Sequence, residues 1–301
     1  MDDGEGDAST DSSSVAGEAG AESAVATEAP PGEPARGSHR AAASGTAPGD
    51  WVRFVLRGIG QTLITGGLVI LLFVVYEVYV TNVFAHRLQV RVHNALENEW
   101  ASGKDPLALP GTNQSGIPLG SGIANLYIPR FGKDYAFTVV QGTDDAALEK
   151  GPGHYVGTAL PGQTGNFAVA GHRVGKGEPF LNLDHLRPGD GVIVETESNW
   201  YVYVVEGDAK TGDLSATDFN KVPGREIVNP SDGQVILPVP DNPGLSPTAH
   251  DRYMTMTTCH PKFTAAQRMV VHAQLQPGST VPRTGDQMPK SINALYDKAG
   301  L

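Results

Sequence analysis

The sequence predicts a mostly β protein, an antiparallel barrel or sandwich of about eight short strands with few helices, preceded by one transmembrane helix. Two observations support this prediction. Between residues 123 and 276, runs rich in β-branched and aromatic residues alternate with turns rich in Gly and Pro. Upstream, residues 58–76 contain no charged side chain, and a run of about 19 such residues is long enough to cross about 30 Å of hydrocarbon.

The acidic charge of the chain is concentrated before this apolar run. Residues 1–50 hold ten Asp and Glu against two Arg, and therefore account for −8 of the net charge of −11. Because these residues are rich in Gly, Ala, Ser, Glu and Pro, they cannot bury a core, and residues 1–52 are predicted to be a disordered cytoplasmic tail. The rest of the chain carries only −3, which excludes a basic nucleic-acid-binding surface.

Residues 53–78 are predicted to be an uncleaved signal anchor in the plasma membrane. Arg53 and Arg57 precede the apolar run and Glu77 follows it, so the basic side should stay in the cytoplasm and the rest of the chain outside. A cleaved signal peptide would begin nearer the N-terminus and end in a small-residue cleavage site. The alternative is a buried helix of a soluble protein, but such helices usually have a polar face.

Residues 79–122 are predicted to be a stalk and linker. Residues 77–99 continue with apolar side chains among Arg, His, Asn and Glu, which favours an amphipathic helix. Residues 102–121 are dense in Gly and Pro and are typical of a linker.

The β domain is predicted over residues 123–276, and residues 277–301 are predicted to be a polar C-terminal tail. Two short helices are predicted over residues 143–151, with Thr143 as the cap, and 180–186. The strands are predicted over residues 124–129, 136–140, 166–173, 191–196, 200–206, 234–239, 253–259 and 268–275, with residues 155–157 as a possible addition.

The segment from Tyr253 to Pro261 contains the one cysteine of the chain, Cys259. One cysteine excludes an intramolecular disulfide and a metal site of several thiolates. Tyr, Met and Thr alternate up to Cys259, which is the period-2 pattern of a β-strand with two distinct faces. His260-Pro261 should end this strand, because proline has no N–H for a ladder. A second β-rich run begins at Arg268, so the thiol and the guanidinium can face each other across a hairpin.

A thiol at this position can act as a nucleophile if a neighbour accepts its proton. His172 stands at the end of an apolar strand, where an imidazole can project from the rim of the fold. His260 should point to the opposite face of the strand from Cys259, which makes it a poorer base, and His272 lies inside a strand and should be structural. Arg268 offers five fixed donors, which suit the oxyanion of a tetrahedral intermediate.

These residues resemble the motifs of a known family. The sequence from Thr255 to Cys259, Thr-Met-Thr-Thr-Cys, resembles the Thr-Leu-x-Thr-Cys signature of sortases, membrane-anchored cysteine transpeptidases of Gram-positive bacteria, with Met256 in place of leucine. Arg268 and the segment Ala-Gly-His-Arg at residues 170–173 resemble the catalytic arginine and histidine segments. The resemblance covers about residues 123–275. The Cys-His-Pro continuation, Gly-Pro-Gly-His-Tyr at residues 151–155 and the long N-terminal tail resemble the class E housekeeping sortases of actinobacteria.

The resemblance implies an eight-stranded sortase β-barrel that needs no cofactor or metal. Cys259 would attack the Thr–Gly carbonyl of a C-terminal sorting signal, similar to Leu-Ala-x-Thr-Gly or Leu-Pro-x-Thr-Gly, and form a thioester. His172 would transfer protons, and Arg268 would hold the substrate or its oxyanion. Thr258, next to the nucleophile, is a candidate substrate contact, and the alternative is that it is an ordinary strand residue. The implied partners are surface proteins with a sorting signal, a lipid-linked peptidoglycan precursor that supplies the amine, and the membrane, with no nucleic acid.

Two other classes of function remain open from the residues. One is another cell-wall cysteine enzyme, such as an L,D-transpeptidase or a peptidoglycan endopeptidase, although an L,D-transpeptidase would approach its cysteine with Ser-x-Gly-Cys and this chain has Thr-Thr-Cys-His. The other is a non-catalytic, membrane-tethered β domain that binds the wall or a partner protein. In that class Cys259 would be dispensable and unreactive.

Overall fold

The computed structural model describes residues 48–76, 81–108, 116–285 and 287–300. The chain divides into two compact units, residues 1–57 and 58–301. The helix α1 spans Pro48–Val75. By length and composition, α1 is the one helix among the described residues that could cross a membrane. The predicted disordered tail lies almost wholly outside the described residues.

The rest of the described chain contains nine strands and three further helices. The helices are α2 (Thr81–Ala101), α3 (Asp145–Leu148) and α4 (Lys290–Ala299), and short 3-10 turns occur at Pro129–Phe131, Leu183–His185 and Gln234–Ile236. The strands are β1 (Gly122–Tyr127), β2 (Ala136–Gln141), β3 (Gly153–His154), β4 (Gly165–Ala170), β5 (Gly191–Glu195), β6 (Asn199–Val205), β7 (Arg225–Val228), β8 (Arg252–His260) and β9 (Gln267–Pro282).

Eight of the strands close into a barrel, which confirms the predicted fold. Around the ring they follow the order β6, β5, β1, β2, β3, β4, β8 and β9, and β6 closes the ring by pairing with the second half of β9. The ninth strand, β7, pairs with the first half of β9 beside the ring. Most neighbouring pairs are antiparallel, but β2 and β3 run parallel, as do β4 and β8. The carboxyl ends of β4 and β8 therefore lie at the same edge.

Alternation along β8 separates the barrel interior from its outer face. Met254 and Met256 lie in the core, which they share with Phe167 of β4 and Val271 of β9. Because successive side chains of a strand point to opposite faces, Thr255, Thr257 and Cys259 belong to the outer face. Thr255 is nevertheless buried, because the segment with Val235 covers this face, and its Oγ1 donates to Oδ1 of Asn166 at 2.9 Å.

Helix α2 packs against β1 and β2, close to the predicted helix over residues 77–99. Ala85, Leu96 and Trp100 are buried. Gln89 is buried as well, and its side-chain amide accepts from the main-chain N–H of Thr138 and donates to the carbonyl of the same residue. The amide therefore satisfies both main-chain groups of a β2 residue, as a neighbouring strand would.

Three differences from the predicted strands have physical causes. The strand predicted over residues 234–239 is wrong, because this segment forms the 3-10 turn Gln234–Ile236, and Pro238 and Pro240 cannot donate to a ladder. Strand β7 was not predicted, since only four residues form it and two of them, Arg225 and Glu226, are charged. In place of a strand at residues 155–157, the structure has the two-residue β3 just before them.

The predicted polar tail contains regular structure. Strand β9 continues to Pro282, and α4 buries Ile292 in a small cluster with Ile193 and Trp200 on β5 and β6. The short helix predicted over residues 143–151 is present as α3, but its cap is Asp144, whose Oδ1 accepts from the N–H of Ala147 at 3.0 Å.

Candidate active site

The strand register brings His172, Cys259 and Arg268 to one end of the barrel. Ala170 pairs with Thr257 in the parallel ladder of β4 and β8. His172 lies two residues after Ala170, and Cys259 lies two residues after Thr257, so both lie at the same level beyond the last pair of the β4–β8 ladder. Across the antiparallel ladder of β8 and β9, Cys259 pairs directly with Arg268. Three adjacent strands therefore bring the three predicted residues together.

Cys259 occupies the penultimate position of β8 and is a free, partly exposed thiol. Strand alternation gives it the same face as Thr257, whose Oγ1 contacts the hydroxyl of Tyr155 at 3.0 Å. A nucleophile must be fixed and yet accessible to its substrate, and this position meets both requirements.

The main chain of His172 is fixed, because its carbonyl accepts from the N–H of Phe180 at 3.1 Å. The ring is largely buried, and among the described residues no hydrogen-bond partner reaches its Nε2. Burial lowers the pKa of His172, and the charge of Lys176 lowers it further, while Asp145 and Glu149 act in the opposite direction. The ring is therefore neutral near pH 7 and able to accept a proton.

Arg268 is held by the loop between β8 and β9. Its Nη1 donates to the carbonyls of Ala265 and Gln267, each at 3.2 Å. These bonds orient the guanidinium and involve only one of its three nitrogens. The N–H groups on Nε and Nη2 can serve an oxyanion or a substrate carbonyl.

Thr258 lies one residue before the thiol and faces the barrel interior. Its side chain is buried, and its Oγ1 donates to the carbonyl of Gly171 at 2.8 Å. The substrate contact expected for Thr258 remains a prediction, and the hydrogen bond gives the hydroxyl a structural partner.

Arg173 is a polar residue of this region to which the sequence assigned no role. It follows His172 directly and is only 4% exposed. Its guanidinium reaches His260 and Asp184. Its position beside His172 in the Ala-Gly-His-Arg segment was the available signal, but the contact with His260 depends on the tertiary register of β4 and β8.

The histidines not chosen as the base have other partners. His260 directs its Nδ1 towards Arg173. His272 is fully buried, and its two ring nitrogens contact the hydroxyl of Thr255 and the carboxylate of Glu226, both at 2.9 Å. His272 thus lies inside a strand, as predicted, and its structural role stays a prediction.

A cluster of possible metal ligands lies beside His272. Glu226, Asp241 and His272 bring ligand atoms within 4.8 Å of one another. Burial, followed by the hydrogen bond and charge of Glu226, raises the pKa of Asp241 to about 7. The raised pKa favours a protonated carboxyl on Asp241 beside Glu226 near neutral pH.

Comparisons with known proteins point to one family. The Sortase domain family matches residues 126–276. Sortase SrtE1 of Streptomyces coelicolor is 34% identical over 226 residues, which cover 73% of this chain and 56% of SrtE1. Sortase SrtE2 of the same organism is 32% identical over 240 residues, which cover 77% of this chain and 85% of SrtE2. The chain therefore spans little more than half of the first relative and most of the second.

A solved structure is similar as well. The SrtF sortase from Corynebacterium diphtheriae is 39% identical, with a TM-score of 0.52, and the match covers 59% of this chain and 95% of that one.

Proposed function

Since the chain belongs to the sortase family of transpeptidases and is similar to the class E sortases SrtE1 and SrtE2, we propose that it is a membrane-anchored cysteine transpeptidase. Cys259 is the proposed nucleophile, His172 the proposed proton carrier and Arg268 the proposed donor to the oxyanion. The observation that carries the proposal is the register of β4, β8 and β9, in which all three residues lie at one end of adjacent strands.

In the first half-reaction, the sulfur of Cys259 attacks the Thr–Gly carbonyl of a C-terminal sorting signal. The pKa of His172 is lowered by its burial, so the neutral ring takes the thiol proton. The carbonyl oxygen becomes an oxyanion, towards which Arg268 donates. As the C–N bond breaks, His172 passes its proton to the departing glycine amine, and the threonine remains as a thioester on Cys259.

In the second half-reaction, a neutral amine attacks the thioester carbonyl. His172 accepts a proton from the attacking nitrogen, the C–S bond breaks, and His172 returns the proton to the sulfur. The product is a new amide between threonine and the amine. We propose that the amine belongs to a lipid-linked peptidoglycan precursor, which fits an enzyme held at the membrane surface.

The proposed location follows from α1 and its flanking charges. Arg53 and Arg57 lie at the N-terminal side of the apolar run, so the N-terminus is proposed to be cytoplasmic and the barrel extracytoplasmic. In this orientation the partly exposed thiol faces the compartment in which wall precursors and exported proteins meet.

The test uses the full-length chain in detergent micelles, as wild type and as Cys259→Ala. Each is incubated with Leu-Ala-x-Thr-Gly or Leu-Pro-x-Thr-Gly peptides and an amine, and intact mass is followed. We expect a thioester adduct and a threonine–amine product with the wild type alone, and the two peptides are ranked by their rates. Arg268→Lys should lower the rate by about 100-fold, because a lysine lacks the fixed fork.

Arg187→Ala is the matched control, since Arg187 is exposed and lies outside the proposed site. The proposal is rejected if the folded wild type forms no adduct with either peptide and its thiol also resists alkylation. A non-catalytic, membrane-tethered binding domain would then be the better description.

A further inference from the structure

The residues that directly follow His172 and Cys259 are in contact with each other. Nη1 of Arg173 donates to Nδ1 of His260 at 3.0 Å and to the carbonyl of Cys259 at 3.4 Å. We propose that Arg173 and His260 form a positioning bridge that fixes the separation and alignment of His172 and Cys259. This inference rests on the proposed function, because it assigns the bridge a role in the same reaction.

The guanidinium of Arg173 is held firmly enough to set a distance. It is 4% exposed, and its Nη2 forms an ion pair with Asp184 in the 3-10 turn Leu183–His185 at 3.1 Å. Burial alone would raise the pKa of Asp184, but a main-chain hydrogen bond and the charges of Arg173 and Lys262 hold it below its usual range. Asp184 therefore stays ionised, and the planar fork of Arg173 connects the turn to the end of β8.

Other contacts between the two segments fix the chain before His172, but they reach residues that precede Cys259. The N–H of Gly171 donates to the carbonyl of Thr257, and Thr258 donates to the carbonyl of Gly171. These bonds lie one and two residues before the thiol. Arg173 adds a connection to the carbonyl of Cys259 itself. Strand β4 ends at Ala170, so its ladder bonds to β8 do not reach Cys259. The side chain of Arg173 makes the connection between the two segments at this level.

The contact with Arg173 also defines which ring nitrogen of neutral His260 carries the proton. An arginine N–H can only donate, so Nδ1 of His260 must be the acceptor, and the ring proton of neutral His260 is on Nε2. A side chain with an oxygen in the position of Nδ1 could replace the imidazole. Asparagine offers such an oxygen, glutamine reaches further, and alanine offers no acceptor. Comparing these three substitutions shows whether the effect depends on the hydrogen bond to Arg173 or only on the size of the side chain at residue 260.

The experiment compares wild type, His260→Ala, His260→Asn and His260→Gln as full-length chains in detergent micelles. We expect His260→Ala to lower the kcat of thioester formation about tenfold with KM within about twofold, because small misplacements of reacting groups are costly in rate. His260→Asn should recover most of this loss, and His260→Gln should resemble alanine. Arg173→Gln with His260→Ala should be no slower than the worse single variant.

An independent readout measures the position of His172 without activity. The pKa of the His172 ring, followed by NMR with labelled histidine, is below its ordinary value in the wild type because the ring is buried. It should rise towards about 6.5 in His260→Ala, as the loop moves and the ring gains water, and should stay low in His260→Asn.

The outcomes distinguish the two proposals. An unchanged kcat and an unchanged His172 titration in His260→Ala would overturn the bridge, as would equal losses in His260→Ala and His260→Asn. A wild type without thioester, in which His260→Ala still shifts the His172 titration, would reject the transpeptidase and leave the bridge supported.

Discussion

Thr258 Oγ1 donates a hydrogen bond to the carbonyl of Gly171 at 2.8 Å. This bond joins the strand that ends beside Cys259 to the segment that carries His172. It lies within the barrel, where Thr258 is 2% exposed. The segments that carry His172 and Cys259 are thus connected by this bond inside the barrel as well as by the contact between Arg173 and His260.

Removing this bond should destabilise the chain and slow the reaction. We expect Thr258→Val to lower the free energy of unfolding by about 1–3 kcal/mol, because it leaves a buried carbonyl without its donor. Thr258→Ser keeps the hydroxyl and should lose less. Urea denaturation measures the stability, and a rise of KM in Thr258→Val at unchanged stability would instead favour the predicted substrate contact.

Gly171 is required for close packing against the core. A Cβ at this position would lie 2.5 Å from Cδ2 of Phe180, which is fully buried. Gly171→Ala should therefore cost about 1–3 kcal/mol and lower kcat, since His172 is the next residue.

The control for this substitution is Gly233→Ala. Gly233 has a φ of −89° and open space around a built Cβ, so its stability should change by less than about 0.5 kcal/mol. Equal effects at both glycines would contradict the packing argument.

The stability of the barrel should fall in mild acid because of His154. Burial lowers the pKa of His154 to about 4, whereas the unfolded chain titrates near about 6.5. The folded state therefore binds this proton less readily than the unfolded state. The contribution is fully present above about pH 6.5, is lost as pH falls towards 4, and amounts to about 3 kcal/mol.

The check is urea denaturation of wild type and His154→Gln between about pH 4.5 and 7.5. Glutamine can keep the contact with the carbonyl of Ala159, to which Nε2 lies within 3.1 Å, but it carries no titrating ring. The substituted chain should show a smaller loss of stability on acidification. Parallel curves for the two chains would exclude His154 as the cause.

Removing the amide of Gln89 should lower the stability of the chain, although Gln89 lies on helix α2 and not in the barrel. Gln89→Leu leaves the N–H and carbonyl of Thr138 without partners, which should cost about 2–3 kcal/mol. Arg91→Leu on the same helix is the control, since Arg91 is exposed. If both variants unfold at the same urea concentration, the amide does not support the edge of β2.

The sequence predicted the barrel, and the ends of the strands that carry the three proposed site residues, because local signals encode them. Alternation up to Cys259 and the stop at Pro261 are properties of a few consecutive residues, and β8 ends at His260 as expected. The segment with Val235 was misread because its apolar residues are buried in a turn. Apolar content alone does not separate a strand from a turn held against the barrel.

The contact between Arg173 and His260 could not be predicted from local signals. The two residues are 87 positions apart, and they meet only because β4 and β8 are parallel neighbours in one register. The same is true of Gln89 and Thr138, which are 49 positions apart. Polar contacts of this kind depend on the assembled barrel.

The single partly exposed thiol has a consequence for redox chemistry. Oxidants convert an accessible thiolate to a sulfenic acid, which a second cysteine of the same chain often captures as a disulfide. With one cysteine in 301 residues, this chain has no such internal partner. Oxidised Cys259 would have to be restored by a thiol from another molecule before it proceeds to the irreversible sulfinic state, so the working life of the protein would depend on the thiols available around it.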